Sequence, residues 1–196
     1  YNYRQLLKEN RVELAEINHA ENGKSMEEAL AGVDKAIELT EFACSIPQLA
    51  SGKLQEVSRG VTCRTERVPL GVVASITPFN FPVMVPHWTV PNAIALGNAM
   101  ILKPSELTPI CALKSVELWR RAGLPDGILN IVNGGREAVE AICDHPEIKA
   151  ISFVGSSPVA RKVYQRAASN LKRVLALGGA KNHLVLVPDA HPEMAA

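Results

Sequence analysis

The chain has 196 residues, 47% of them hydrophobic and 21% charged, and its 21 Lys and Arg nearly balance 20 Asp and Glu, for a net charge of +1. That balance argues against a nucleic-acid partner or a membrane surface, which call for a basic excess. The apolar share excludes a disordered chain and supports one large domain.

The first fifty residues read as helices. Tyr3, Leu7, Leu14 and Ile17 fall near one face, and Glu21-Asn22-Gly23 is a stop signal. Ser25 followed by Glu28 is a capping-box pattern that opens a second helical run through Leu30, Val33, Ile37 and Phe42, broken by Pro47 and Gly52. Between Lys53 and Arg67, two short polar runs separated by Arg59-Gly60 predict a hairpin lying outside the core. The expected organisation is a helical segment over 1–52, a β arm over 53–68 and a Rossmann-like domain over 69–196. From Val68 to Leu102 there is no Asp, Glu, Lys or Arg, but Pro78, Pro82, Pro86 and Pro91 punctuate this stretch too densely for a membrane helix. Buried strands and a central helix explain it better.

From Leu70 onward, apolar runs alternate with amphipathic stretches: residues 71–76, 99–103, 128–132, 149–154 and 173–177, with a further run, Leu184 to Val187. Runs without period-two alternation, each a crossover apart, predict parallel strands covered on both faces. The fold class is therefore α/β, a doubly wound parallel sheet with N-terminal helices and a short β arm. The four cysteines, Cys44, Cys63, Cys111 and Cys143, form no Cys-x-x-Cys pair, which fits buried, reduced thiols better than a disulfide framework or a metal site. A cytoplasmic location is expected, or a mitochondrial matrix in a eukaryote. The opening at Tyr1, with neither Met nor a leader, leads us to expect a piece of a longer protein.

Ligands of an open parallel sheet bind outside the carboxyl ends of its strands, so the segments after each run carry the chemistry. In Ile76 to Pro82, Asn80 presents a donor of the kind that stabilises an oxyanion, or simply forms a turn, while His87 and Trp88 read as core or pocket wall. Thr108 is placed to cap a helix starting at Pro109, leaving Lys103, Ser105 and Glu106 at the strand mouth. There, Glu106 can accept from ribose hydroxyls and Lys103 can donate to them, unless the loop is merely solvated. Gly134 and Gly135 mark a close-approach turn. Gly155, Ser156 and Ser157, with Pro158 in the first helical turn, suit either an anion site or ordinary capping. Gly178 and Gly179 suit a flat ligand or a plain turn. There is no G-x-G-x-x-G and no Walker A motif.

Taken together, ITPFNFP, LKPSELTP, LNIVNGG, ISFVGSSPV and ALGGAKN resemble the aldehyde dehydrogenase superfamily, and PLGVVASITPFNFPVMVPHW, CDHPEIKAISFVGS and GAKNH are most similar to its methylmalonate-semialdehyde dehydrogenase branch. The resemblance implies NAD as cofactor, with Lys103 and Glu106 on the adenosine ribose, Ser156 near the pyrophosphate, Gly134 near the adenine and Asn80 in the oxyanion hole. Thr77, Pro78, Phe79, Ser105, Gly155 and Gly178 are further cofactor-binding positions. Trp88 and Lys35 are assigned to the substrate pocket. Lys35 stands where the branch resembles an Arg-Gly-Ile-Glu pattern, and Lys lacks the bidentate fork of Arg. The family's nucleophilic Cys is expected beyond Ala196, so this chain alone is expected to be inactive. Ala176 occupies the position where hydrolytic relatives resemble Glu-Leu-Gly-Gly-Lys, which implies acyl transfer to coenzyme A as co-substrate. The partners implied are a small aldehyde and further copies of the chain, as a dimer or tetramer. Hydrolytic NAD(P)-dependent oxidation and a non-catalytic nucleotide-binding module are the competing readings.

Overall fold

The computed structural model describes residues 1–195. Three helices open the chain: α1 (Asn2–Glu9), α2 (Arg11–Asn22) and α3 (Met26–Leu49). Gly23, at φ 82°, ends α2 in the left-handed conformation that a side chain would disfavour. The capping box then starts α3: the Ser25 hydroxyl accepts from Glu28 N–H at 3.2 Å, and the Glu28 carboxylate accepts from Ser25 N–H at 3.1 Å. Helix α3 runs through Pro47 to Leu49, because a proline this close to the end forfeits one hydrogen bond of a turn that is closing anyway.

Strands β1 (Lys53–Ser58) and β2 (Val61–Thr65) form an antiparallel hairpin exposed along its whole length, as expected for an arm outside the core. A side chain at Gly52 would strike the Thr65 carbonyl, so only glycine lets the arm leave α3 here.

The remaining strands, β3 (Val72–Ile76), β4 (Ala99–Lys103), β5 (Leu129–Ile131), β6 (Ile148–Val154) and β7 (Arg173–Leu177), form one parallel sheet in the order β5-β4-β3-β6-β7. Helices α4 (Met84–His87), α5 (Val90–Ala95), α6 (Ile110–Arg121), α7 (Arg136–Asp144) and α8 (Ser157–Ser169) make the connections, and α9 (Pro192–Ala195) follows. On one face, Val73, Met100 and Leu102 pack with Val90 of α5 and Ala112 of α6. On the other, Ala74, Ile76, Ile151 and Phe153 pack with Ile142 and Cys143 of α7 and Ala160, Val163 and Ala167 of α8. The sheet is thus covered on both sides, which is why its strands read as unbroken apolar runs. A third cluster seats α1, α2 and α3 on α6 through Leu7, Leu14, Val33 and Leu118, each fully buried and contributing roughly 2 kcal/mol of hydrophobic stabilisation.

The charge-free stretch is resolved into β3, α4, α5 and β4. Among the described residues, no helix is long and apolar enough to cross a membrane. Leu184 to Val187, an apolar run that suggested another strand, is exposed and pairs with none of the described strands. An apolar run makes a strand only where a sheet edge offers it hydrogen-bond partners.

Candidate functional site

The chain passes outward from β3 through β4 to β5, then returns to lay β6 on the other side of β3. The reversal places a switch point between β3 and β6, where loops leaving in opposite directions open a crevice. A cleft of about 790 Å³ lies there.

Strand register builds its floor. Ile76 pairs with Lys103 on one side and Phe153 on the other, and Phe153 pairs with Ala176 of β7. Residues aligned across parallel strands share a face, so all four side chains project toward α7 and α8. Lys103 reaches the cleft through a buried stem, its side chain only 5% exposed, and its ammonium donates to the Glu106 carboxylate at 2.9 Å. Lys103 in turn holds the Glu106 carboxyl below its usual range. An ammonium has three N–H donors, and among the described residues Lys103 spends one. Thr77 N–H donates to the Lys103 carbonyl at 3.0 Å, tying the two strand mouths together. The Ser105 hydroxyl accepts from Leu107 N–H and shapes the turn that presents Glu106.

The opposite wall begins where β6 ends. A side chain at Gly155 would meet the Phe153 ring at 2.6 Å, so the glycine lets the ring fold over the backbone. Ser156 starts α8 without a side-chain cap, with Pro158 in the first turn, so first-turn N–H groups and the positive end of the helix dipole face the cleft. Val159, Lys162, Val163 and Arg166 then line the cleft at one-face helical spacing, with Val139 of α7 opposite. The rim is an ion-pair network: Arg166 grips Asp144 at 2.9 and 2.6 Å and reaches Glu140 at 2.9 Å, and Arg136 holds Glu140 at 2.6 Å. These guanidinium groups pull both acids below their usual range.

The structure therefore brings Thr77, Pro78, Phe79, Lys103, Ser105, Glu106, Gly155 and Ser156 together around one cleft. The other candidates lie outside its lining. Asn80 is exposed in the loop just past Phe79. Gly134, at φ 145°, sets the turn into α7, where a side chain would press on Ala138, and its neighbour Gly135 lines the cleft instead. Gly178 abuts Ser157 of α8, which leaves no room for a side chain. Trp88 is half-buried at the end of α4, and Lys35 pairs with Glu38 on the solvent side of α3 at 2.5 Å. Thr108 does not cap α6; its hydroxyl reaches toward the Phe79 carbonyl at 3.4 Å. The cap comes from Glu21, whose carboxylate accepts from Ile110 and Cys111 N–H at 2.8 and 2.9 Å. Sequence reasoning missed the α8 face and the arginine network, although the four-residue stripe from Val159 to Arg166 was readable once Ser156 and Pro158 had fixed the helix start.

Two buried thiols complete the inventory. Burial pushes both Cys111 and Cys143 up, away from the thiolate, so neither is an activated nucleophile, although Cys143 lies in the cleft wall. A dinucleotide fits the cleft: spare ammonium donors and a carboxylate for ribose hydroxyls, a helix N-terminus for a pyrophosphate, and apolar walls for a flat ring.

A sequence profile described as Aldehyde dehydrogenase family matches residues 1–196. Malonate-semialdehyde dehydrogenase of Lacticaseibacillus casei is 53% identical over the whole of this chain, which spans 40% of that protein. Among solved structures, one from Sinorhizobium meliloti 1021, complexed with NAD and assigned as a methylmalonate-semialdehyde dehydrogenase, matches with a TM-score of 0.92 and 48% identity. That match covers 99% of this chain and 40% of the other. Methylmalonate-semialdehyde dehydrogenase of Oceanimonas doudoroffii matches with a TM-score of 0.91 and 46% identity over 93% of this chain and 38% of its own. The chain thus spans about two fifths of the length of these relatives.

Proposed function

The chain belongs to the aldehyde dehydrogenase family, and on that premise we propose that it is the NAD-binding portion of an enzyme oxidising a small, acidic semialdehyde to an acyl-CoA. The observation that carries this reading is the cleft at the switch point, where the Lys103–Glu106 pair faces the uncapped start of α8. Lys103 donates to the ribose hydroxyls and Glu106 accepts from them, while the first turn of α8 holds the pyrophosphate. Ile76, Phe153, Val139 and Val159 keep water off the bound rings. When bound, NAD supplies the two-electron acceptor for the aldehyde carbon. Asn80, at the edge of the cleft, donates to the oxyanion that forms when a thiolate of the complete protein adds to the aldehyde.

Ala176 decides how the resulting thioester is resolved. It lies on β7 in the same row as Phe153 and offers no proton acceptor. Water therefore attacks slowly, whereas the thiol of coenzyme A ionises readily and is the better nucleophile. Overall, aldehyde, NAD⁺ and coenzyme A give acyl-CoA, NADH and a proton. The exposed β1–β2 hairpin supports self-association into a dimer or tetramer, since unpaired strand edges seek partners. The unpaired cysteines support a reducing, cytoplasmic setting. Turnover of the full-length protein with and without coenzyme A, with products separated by chromatography, tests the reading. Acyl-CoA should dominate, and Ala176→Glu should raise hydrolysis at its expense; free acid formed at full rate without coenzyme A would overturn the assignment.

A further inference from the structure

The carbonyl of Phe79 and the N–H of Asn80 belong to one planar peptide group, so whatever holds the first orients the second. Asn22, the last residue of α2, donates its side-chain N–H to the Phe79 carbonyl at 2.7 Å, across 57 residues of chain. Just beyond Asn80, the Lys24 ammonium sits 3.8 Å from the centre of the Phe81 ring, a cation–π contact. Both flanks of Asn80 are therefore gripped from one short segment, the Thr108 hydroxyl adding only a longer contact to the same Phe79 carbonyl at 3.4 Å. That segment is itself pinned: Glu21 caps α6 with two hydrogen bonds, and Gly23 in the left-handed conformation redirects the chain so that Asn22 and Lys24 bracket the loop. Asn80 is exposed, and among the described residues its side chain makes no hydrogen bond that would fix it locally.

We propose that Asn22 is a positioning residue for Asn80, holding the Phe79–Asn80 peptide so that the Asn80 donors meet the developing oxyanion, with Lys24 bracing the far side of the loop. The proposal rests on the oxyanion role assigned to Asn80 above. Preorganised donors act at full strength only when held in place before charge develops, and a misplacement of about 1 Å can cost ~10²-fold in rate.

The test uses the full-length protein. Asn22→Asp keeps the shape but replaces the donor with a charge that repels the carbonyl; it should lower kcat about tenfold and change KM for NAD by a much smaller factor, since Phe79 is one of many residues lining the cleft. Asn22→Gln retains the amide donor and should recover part of the loss. Asn80→Ala alone should cost ~10²-fold, and Asn22→Asp added to it should cost nothing further, because both act through one donor. Hydrogen exchange at peptides covering 79–82 should rise in Asn22→Asp with the thermal midpoint held. Independent, multiplying effects of the two substitutions, or an unchanged kcat in Asn22→Asp, would overturn the proposal. Full activity in Asn80→Ala would remove the oxyanion assignment itself, an outcome read separately from the other two. Should Asn22→Asp fail to accumulate, Asn22→Ala carries the same cycle.

Discussion

Lys103 and Glu106 show how much chemistry three positions of sequence separation can hold. Lys103 ends a strand, so its stem is buried by the sheet while its head emerges where the chain turns to present Glu106. Replacing Lys103 by Met keeps the apolar stem and removes the donors. NAD affinity, read by calorimetry, should fall ~10–100-fold, the range for hydrogen bonds from a charged group. Glu106→Gln should act on selectivity instead. Its carboxylate repels a 2′-phosphate, partly offset by Lys103 and by water at this exposed position, so the preference for NAD over NADP should narrow about tenfold. An unchanged ratio would place the ribose elsewhere. These residues were legible in sequence because strand mouths of a doubly wound sheet are where polar groups after an apolar run are expected. Gly134 and Gly178 illustrate the opposite case, since a glycine in sequence announces a close approach without saying whether ligand or protein makes it. Here Ala138 and Ser157 make it.

Helix boundaries divide along the same line between local and distant causes. Gly23 and the Ser25–Glu28 box mark the ends of α2 and α3 by contacts within four residues, and such signals are readable. The start of α6 is not of this kind: its cap is Glu21, 89 residues away from Ile110, and the adjacent Thr108 that looked suited to the task faces Phe79. Glu21→Ala removes two charge-assisted hydrogen bonds from orphan N–H groups and should cost about 2 kcal/mol in denaturant unfolding. Glu21→Gln, which keeps one acceptor, should cost less. Equal stability in all three proteins would mean that water replaces the cap. The run from Leu184 to Val187 failed as a strand for a related reason, because apolar composition is local whereas a sheet edge is not.

For the molecule as a whole, stability carries a pH signature from the seam between α1 and α4. His87 is buried; Nδ1–H donates to the Val83 carbonyl at 2.6 Å, which leaves Nε2 to accept from the Tyr3 hydroxyl at 2.6 Å. The Tyr3 ring stacks on Trp119 with centroids 3.7 Å apart. Burial pulls His87 down from 6.5 to about 4. Between those values the unfolded chain takes up a proton that the folded one refuses, so stability is full above pH 6.5 and falls as pH drops toward 4. At pH 5 the loss should be about 2 kcal/mol relative to pH 7.5. The paired carboxylates, Asp34 with Arg11 and Asp144 with Arg166, are held below their usual range, so they weaken the fold only at lower pH, as protons bind the unfolded chain in the ordinary carboxylate range before they bind the folded one. Urea unfolding of His87→Gln should start from a lower midpoint at pH 7.5 yet stay flat to pH 5, and a wild-type slope surviving in this variant would assign it to other groups. The strand order has a further consequence in time rather than in space. Val72 of β3 pairs with Ile148 of β6 only after two strands and four helices have been made between them, and α8 comes later still. During synthesis, at roughly 5–20 residues per second, the Lys103 side of the cleft exists for seconds before its facing wall emerges. A nascent chain therefore cannot grip a dinucleotide until β6 closes onto β3, and ligand added during refolding draws its stabilisation from that least local pairing, after which only β7 remains to be added to the sheet.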